Sequence, residues 1–339
     1  MRGKKTNRFS SLFLAATLFI MPTASNAVEN GKPIPGDKRV LPVYTDFNKN
    51  PDYPFYVQTC SAYLLTDRIV VTAQHCTIDG QSKQPKDPAD FIVGQPGEQT
   101  SSEKSPSKFR AVKIFREPDF RWYDIKTDLS YQNDIAVVVF AKPVAKVNPA
   151  VTLSKEEMLK LRDVKQDVFL GGYGLQSIED RTKAEGSPSS RKVFPAQAPG
   201  KLISEDEHFS AIAANLSRVG RSYYDARLWG VQFDSLQAGT PCDRDSGSGF
   251  YTQIGDKTVY LGPSNGLISI PNCQTQGMPM VTQPIAGFYP TYVFQNLIDD
   301  ALEYVKNNPV KSTVVCVKGK STKKVTGVNP KCPKGFKKK

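Results

Sequence analysis

At 339 residues with a 39% hydrophobic fraction, the chain is long enough for two domains or one large all-β domain, and too apolar to be disordered throughout. Its formal charge of +12 belongs to the ends: taking away the +4 of residues 1–27 and the +10 of residues 309–339 leaves residues 28–308 at −2, which excludes a basic nucleic-acid groove in the body. Six cysteines fit three disulfides whose pairing spacing alone leaves open, and 2 histidines without a CxxC or HExxH pattern argue against a metal site.

In chain order, residues 1–27 read as a signal peptide. Arg2, Lys4, Lys5 and Arg8 precede an apolar run from Leu12 to Met21, Pro22 breaks that run, and Ser25-Asn26-Ala27 offers a small-x-small cleavage site. The run is about half the ~20 residues of a spanning helix. The expected product is a secreted chain beginning at Val28. Short runs rich in valine, isoleucine and aromatics follow at Tyr56–Gln58, Ser61–Leu65, Ile69–Thr72, Phe91–Val93, Ala111–Phe115 and Ile135–Phe140. Gly, Pro, Asp and Asn separate them, so an antiparallel sandwich or barrel is expected rather than alternating βα units. Ile78–Asp90 and Gln95–Lys108 read as exposed loops.

After a divide near 145–165 the style repeats. Val168–Leu170, Leu228–Phe233, Thr258–Leu261, Leu267–Ile270 and Tyr292–Phe294 read as strands, and Ile178–Gln197 as a surface loop. Leu297, Ile298, Ala301, Leu302 and Val305 recur at helical spacing, which predicts a helix over Asn296–Lys306 closing the body, with Asn308-Pro309 as its boundary. Residues 309–339 form a separate lysine-rich tail.

Three segments together meet the needs of acyl transfer. Val70-Val71-Thr72-Ala73-Gln74-His75-Cys76 delivers a histidine at the end of a β run. Asn133-Asp134-Ile135-Ala136-Val137-Val138 sets an aspartate at the mouth of an apolar strand. Pro241-Cys242-Asp243-Arg244-Asp245-Ser246-Gly247-Ser248-Gly249 puts a serine in a tight turn. A serine hydroxyl is a poor nucleophile near neutral pH and needs a base, which histidine supplies. A buried carboxylate fixes the imidazole tautomer and stabilises the imidazolium that forms. Backbone N–H groups of the serine turn stabilise the oxyanion.

These segments resemble the chymotrypsin/trypsin family of serine peptidases over roughly residues 28–306. TAQHC is similar to the family's TAAHC, NDIAVVVF to its DIALL strand, CDRDSGSGF to its GDSGGP turn, Gly172-Tyr173-Gly174 to its GWG, and Gly266-Leu267-Ile268-Ser269 to its substrate-binding strand GIVS. The resemblance implies an all-β, chymotrypsin-like fold of two six-stranded antiparallel β-barrels with a C-terminal helix and a short basic tail. It implies a secreted serine endopeptidase, of bacterial kind, acting on protein or peptide substrates with no cofactor. His75, Asp134 and Ser246 would form the triad, and the N–H groups of Arg244 and Ser246 the oxyanion hole. It further implies the disulfides Cys60–Cys76 and Cys242–Cys273, which leaves Cys316 and Cys332 to pair in the tail. The alternative from another class is an inactive homologue acting as a surface-binding or adhesion protein.

Departures from the family pattern carry information. Arg244 stands where the family has glycine, and Ser248 replaces the second glycine of GDSGGP. Thr240 falls at the floor of the specificity pocket, with Ser269 and Pro271 on its wall. A buried cation must be paired, and Thr240 offers only a hydroxyl, so a neutral residue, apolar or small, is expected before the scissile bond. Family zymogens are switched on when a new amino terminus pairs with the aspartate before the nucleophile; here signal cleavage itself would free Val28 to pair with Asp245. His208, among Glu205, Asp206 and Glu207, reads as a solvated surface residue. Gly262–Gly266 matches GxSxG, but that fold needs a later histidine, and none follows residue 208. The tail is expected to meet an anionic cell-surface polymer; nucleic acid is not an expected partner, and the protein is expected to be a monomer.

Overall fold

The computed structural model describes residues 25–26, 28, 31–46, 56–100, 108–121, 132–174, 193–216, 227–234, 239–242, 244–269 and 284–339. The expected signal peptide falls almost wholly outside them, as do Pro271 and Cys273.

The first six long strands are β1 (Val40–Asp46), β2 (Tyr56–Leu64), β3 (Ile69–Thr72), β4 (Ile92–Gly94), β5 (Lys108–Arg116) and β6 (Ala136–Phe140). They close into a barrel in the order β1-β2-β3-β6-β5-β4. Helix α1 (Lys155–Asp163) follows, opened by a Ser154/Glu157 capping box. The second set is β7 (Asp167–Gly172), β8 (Ala196–Leu202), helix α2 (Glu205–Leu216), β9 (Trp229–Phe233), β10 (Gly249–Ile254), β11 (Lys257–Ser269) and β12 (Ile285–Phe288). These strands close in the order β7-β8-β9-β12-β11-β10, with Lys32–Pro33 added to β8. The second barrel thus repeats the connectivity of the first, strand for strand. Both are six-stranded and antiparallel, as the resemblance implied.

Packing follows the two-residue period of the strands. Along β3 and β6, Val70, Ala136, Val138 and Phe140 point into the first barrel, while Ile69, Val71, Val137 and Val139 point out of it. The outward set joins Tyr251, Tyr260, Tyr289 and Phe294 in a third core between the barrels. Strands buried on both faces read as unbroken apolar runs, which is why Ile69–Thr72 and Ile135–Phe140 were legible. Tyr63 stacks on Tyr260 with ring centroids 4.7 Å apart. Helix α3 (Gln295–Asn307) lays Leu297, Ile298 and Ala301 on the same core.

The structure corrects several expectations. Val40–Asp46 is a strand that the sequence pattern missed. Tyr292–Phe294 is not a strand but lies in a 3-10 turn over Thr291–Phe294, preceded by an extended Pro290 at its N-cap. The expected loop Ile178–Gln197 yields to strand at its end, where Ala196 opens β8. His208 is not solvated: on the inner side of α2 it is 1% exposed. The tail forms a sheet of β13 (Ser312–Lys318), β14 (Ser321–Gly327) and β15 (Lys337–Lys338), with β13 central, and Cys316–Cys332 are joined in the disulfide that was expected.

Candidate active site

Register brings histidine and aspartate together. Thr72 of β3 pairs with Ala136 of β6 in antiparallel register. Residues just after β3 and just before β6 therefore emerge at the same end of the barrel. After Thr72 the chain turns through a 3-10 helix over Gln74–Thr77. The His75 backbone N–H donates to Asp134 Oδ1 at 2.7 Å, and His75 Nδ1 lies 2.7 Å from Asp134 Oδ2. A carboxylate only accepts, so Nδ1 carries the proton and Nε2 presents its lone pair. Asp134 is fully buried, whereas the His75 side chain keeps 14% exposure.

Side chains to which the sequence motifs assign no role hold both residues. Gln74 Nε2 donates to the Glu117 carbonyl at 3.1 Å, and Gln74 Oε1 accepts from the Glu117 N–H at 2.8 Å. Burial raises the Glu117 carboxyl above its ordinary range. Arg116 donates to Thr77 Oγ1 at 2.9 Å and to the Thr77 carbonyl at 3.1 Å, bracing the far end of the histidine turn. On the aspartate side, the Asn133 N–H donates to the Tyr289 hydroxyl of the second barrel at 3.0 Å. Asn133 itself takes φ +54°, a left-handed conformation that asparagine tolerates.

The turn that carries Ser246 enters from the second barrel. Asp245 N–H donates to the Cys242 carbonyl at 3.0 Å and Ser248 N–H to the Asp245 carbonyl at 2.8 Å, which closes the turn tightly around Ser246. Gly247 has φ +82°, and a Cβ there would overlap Thr72 Oγ1, so only glycine fits. Arg244, in the family's glycine position, adopts φ +74°. The backbone of this turn thus keeps the left-handed geometry that glycine would favour, now with a side chain.

Ser61 is the clasp between the barrels. Its N–H donates to the Ser246 carbonyl at 3.0 Å. Its hydroxyl donates to the Arg244 carbonyl at 3.0 Å and accepts from the Tyr173 N–H at 2.9 Å. Its carbonyl accepts from Thr72 Oγ1 at 2.8 Å. The Cys60–Cys76 disulfide lies beside it. His75 Nε2 is 4.0 Å from Cys60 Sγ, and the Ser246 carbonyl is 3.7 Å from Cys76 Sγ, so the histidine and the Ser246 turn flank the same bridge. With both sulfurs in a disulfide, the Cys60, His75 and Cys76 cluster has no thiolate for a metal.

The Asp245 carboxylate is anchored inside the second barrel. Oδ1 accepts from the Gly174 N–H at 2.6 Å and from the Ser248 hydroxyl at 3.3 Å, and Oδ2 accepts from the Cys242 N–H at 2.9 Å. A Cβ on Gly172 or Gly174 would overlap that carboxylate, which accounts for both glycines of Gly172-Tyr173-Gly174. Val28 is fully buried in the second-barrel core, with its carbonyl accepting from the Gly31 N–H at 2.8 Å. Thr240 is fully buried, and its hydroxyl has no hydrogen-bond partner among the described residues. Ser269 ends β11, but its side chain, like Pro271, lies outside the described residues. Cys242 is disulfide-bonded, and its expected partner Cys273 lies outside them too. A cavity of about 220 Å³ opens beside His75, lined by Thr59, Cys60, Cys76, Ile78 and Lys86.

Two barrels of like connectivity, with a histidine and a buried aspartate offered by one and a serine turn by the other, define the architecture of a two-barrel serine peptidase. A family model described as Trypsin matches residues 45–291, and the chain belongs to that family. Its class is serine peptidase, a hydrolase of protein or peptide substrates. No curated protein matches the chain.

Proposed function

We propose that the chain is a secreted endopeptidase that cleaves peptide bonds through an acyl-enzyme. The carrying observation is the two-point grip of Asp134 on His75, which puts the ring proton on Nδ1 and makes Nε2 the basic nitrogen, on the flank of the disulfide where the Ser246 turn docks. Ser246 attacks the scissile carbonyl, and His75 takes its proton and then returns it to the leaving amine. Asp134 orients the ring and stabilises its cation. The N–H groups of Arg244 and Ser246 receive the oxyanion, each donor of this kind being worth ~2.7–4 kcal/mol in the transition state. Water then releases the acyl group by the same steps in reverse.

Thr240, Ser269 and Pro271 would form the specificity pocket. The buried hydroxyl of Thr240, without a partner among the described residues, supports a neutral preference, because a hydroxyl carries no charge to pair a buried Lys or Arg. Export would end at Ala27, and the freed Val28 ammonium would then pair with Asp245. The burial of Val28 and the inward aim of the Asp245 carboxylate support that pairing.

Intact mass of the secreted protein, before and after a fluorophosphonate probe, tests the reading. The expected result is one adduct on Ser246, absent in His75→Ala, on a chain that begins at Val28. An unlabelled but folded protein would sink it in favour of the inactive, surface-binding homologue. Lys- and Arg-directed peptides cleaved best by a wide margin would overturn the pocket assignment.

A further inference from the structure

The tail sheet has two unlike faces. In antiparallel register, directly opposed residues share a face. Cys316 opposes Lys323 and Lys338, and the Cys316–Cys332 disulfide and Phe336 sit with them; Lys323 Nζ lies 5.1 Å from the centre of the Phe336 ring. Val315 opposes Lys324, and Val317 opposes Thr322 and Lys337, on the other face. Lys318 and Lys320 flank the hairpin turn, Lys331 and Lys334 flank Cys332, Lys311 leads into the sheet and Lys339 ends it. All ten lysines are exposed, and residues 309–339 contain no acid and no arginine.

From this distribution we infer that the tail is a binding module for a linear anionic polysaccharide, one bearing uronate or phosphate groups. Cations stand on both faces, at both ends and at the turn. A flexible polyanion that wraps the module can meet them all, whereas a membrane is a plane and meets one side at a time. Membrane insertion also needs apolar area, and the uncovered face offers little, the half-buried Val315 and Val317 with the exposed Val328 just past β14. Nucleic-acid readers rely on arginine forks and stacking aromatics; here there is no arginine, and the single aromatic, Phe336, is half-buried beneath Lys323. Exposed Ser312, Thr313, Ser321, Thr322 and Thr326 add hydroxyls suited to sugar hydroxyls. The sheet and its disulfide hold the charges at fixed spacing, so less ordering is left for binding to supply. A peptidase body of near-neutral charge would then work where the polymer holds it.

The test uses the full secreted chain and polygalacturonate at low and high salt. Strong binding that fades with salt is expected, and deletion of residues 309–339 should abolish it while leaving cleavage of a small soluble peptide unchanged. At about fivefold per lysine, replacing Lys318, Lys323 and Lys338 together by Gln should weaken binding about a hundredfold. Replacing Lys324, Lys337 and Lys339 together should do the same, because a wrapping polymer uses both faces. Unchanged binding after the deletion overturns the inference. So does tighter binding to phosphatidylglycerol vesicles with loss confined to one triple variant, which would make the module a membrane face, or tighter binding to duplex DNA. Peptide cleavage is read separately, so failure of this module and failure of the peptidase reading are distinguishable.

Discussion

Ser61→Ala is the substitution that best isolates how the barrels position the nucleophile. Ser61 is fully buried, and its hydroxyl serves two backbone groups at once, the Arg244 carbonyl at 3.0 Å and the Tyr173 N–H at 2.9 Å. Alanine keeps the Ser61 N–H bond to Ser246 but withdraws both hydroxyl bonds. A buried polar group that loses its partner costs ~1–3 kcal/mol, so the pair amounts to roughly 2–6 kcal/mol, a sizeable part of the ~5–15 kcal/mol that holds a domain together. Because the Arg244 carbonyl belongs to the turn proposed to present the oxyanion donors, part of this loss should reach the transition state. Urea denaturation should show a lower midpoint with an unchanged slope. The fluorophosphonate labelling rate and kcat/KM should fall by about tenfold or more, within the 10²–10³ set by complete loss of one oxyanion donor. A variant with the wild-type urea midpoint and labelling rate would refute the clasp.

Asp134→Asn should keep the fold, since the side chains match in shape, but its amide would donate to His75 Nδ1 and move the ring proton to Nε2. A fall in kcat of about 10⁴ at neutral pH is expected; a loss under tenfold would remove Asp134 from the mechanism. Burial holds His208 down to about 4, against its ordinary 6.5. The unfolded chain therefore binds the extra proton first, so this contribution is complete above pH 6.5 and is lost as pH falls towards 4, up to about 3 kcal/mol. His208→Gln should flatten stability over that window, and an unaltered pH profile would contradict it. One residue added before Val28 should cost two to three orders of magnitude in kcat/KM, the equivalent of a broken buried ion pair at ~3–5 kcal/mol. Full activity would mean that the Gly174, Cys242 and Ser248 donors suffice to hold Asp245.

What the sequence revealed, and what it hid, divides along physical lines. The segments around His75, Asp134 and Ser246 were legible as family motifs because each is contiguous within a few residues, and the twice-buried strands because their apolar runs are unbroken. Strand β1 was missed because Pro42 interrupts Val40-Leu41-Pro42-Val43, and proline reads as a strand breaker. Helix α2 was missed because Glu205-Asp206-Glu207 suggests solvent, although the helix turns His208 inward. Tyr292–Phe294 is aromatic and β-branched, and only Pro290 hinted at a helical turn. The supports of the site were beyond reach. Ser61 and Arg244 are 183 residues apart and Asn133 and Tyr289 156 apart, and no spacing or composition rule links such pairs.

Those distant pairs show where the geometry of the site is decided. Within the first barrel, β3–β6 register suffices to bring His75 to Asp134. Nothing inside either barrel, however, sets the distance from His75 to Ser246. That distance depends on how the barrels meet, and the contacts across their junction are of two kinds. Tyr63 on Tyr260 and the Val71, Val137 and Tyr289 packing supply area without direction. Ser61 to Ser246 and Arg244, and Asn133 to Tyr289, supply direction through hydrogen bonds of fixed geometry. The apolar contacts hold the barrels together, and the polar ones select one docking among the many that apolar area would permit. The polar contacts fall on the residues flanking His75, Asp134 and Ser246, where, on the proposed mechanism, a shift of an ångström would be felt in the chemistry.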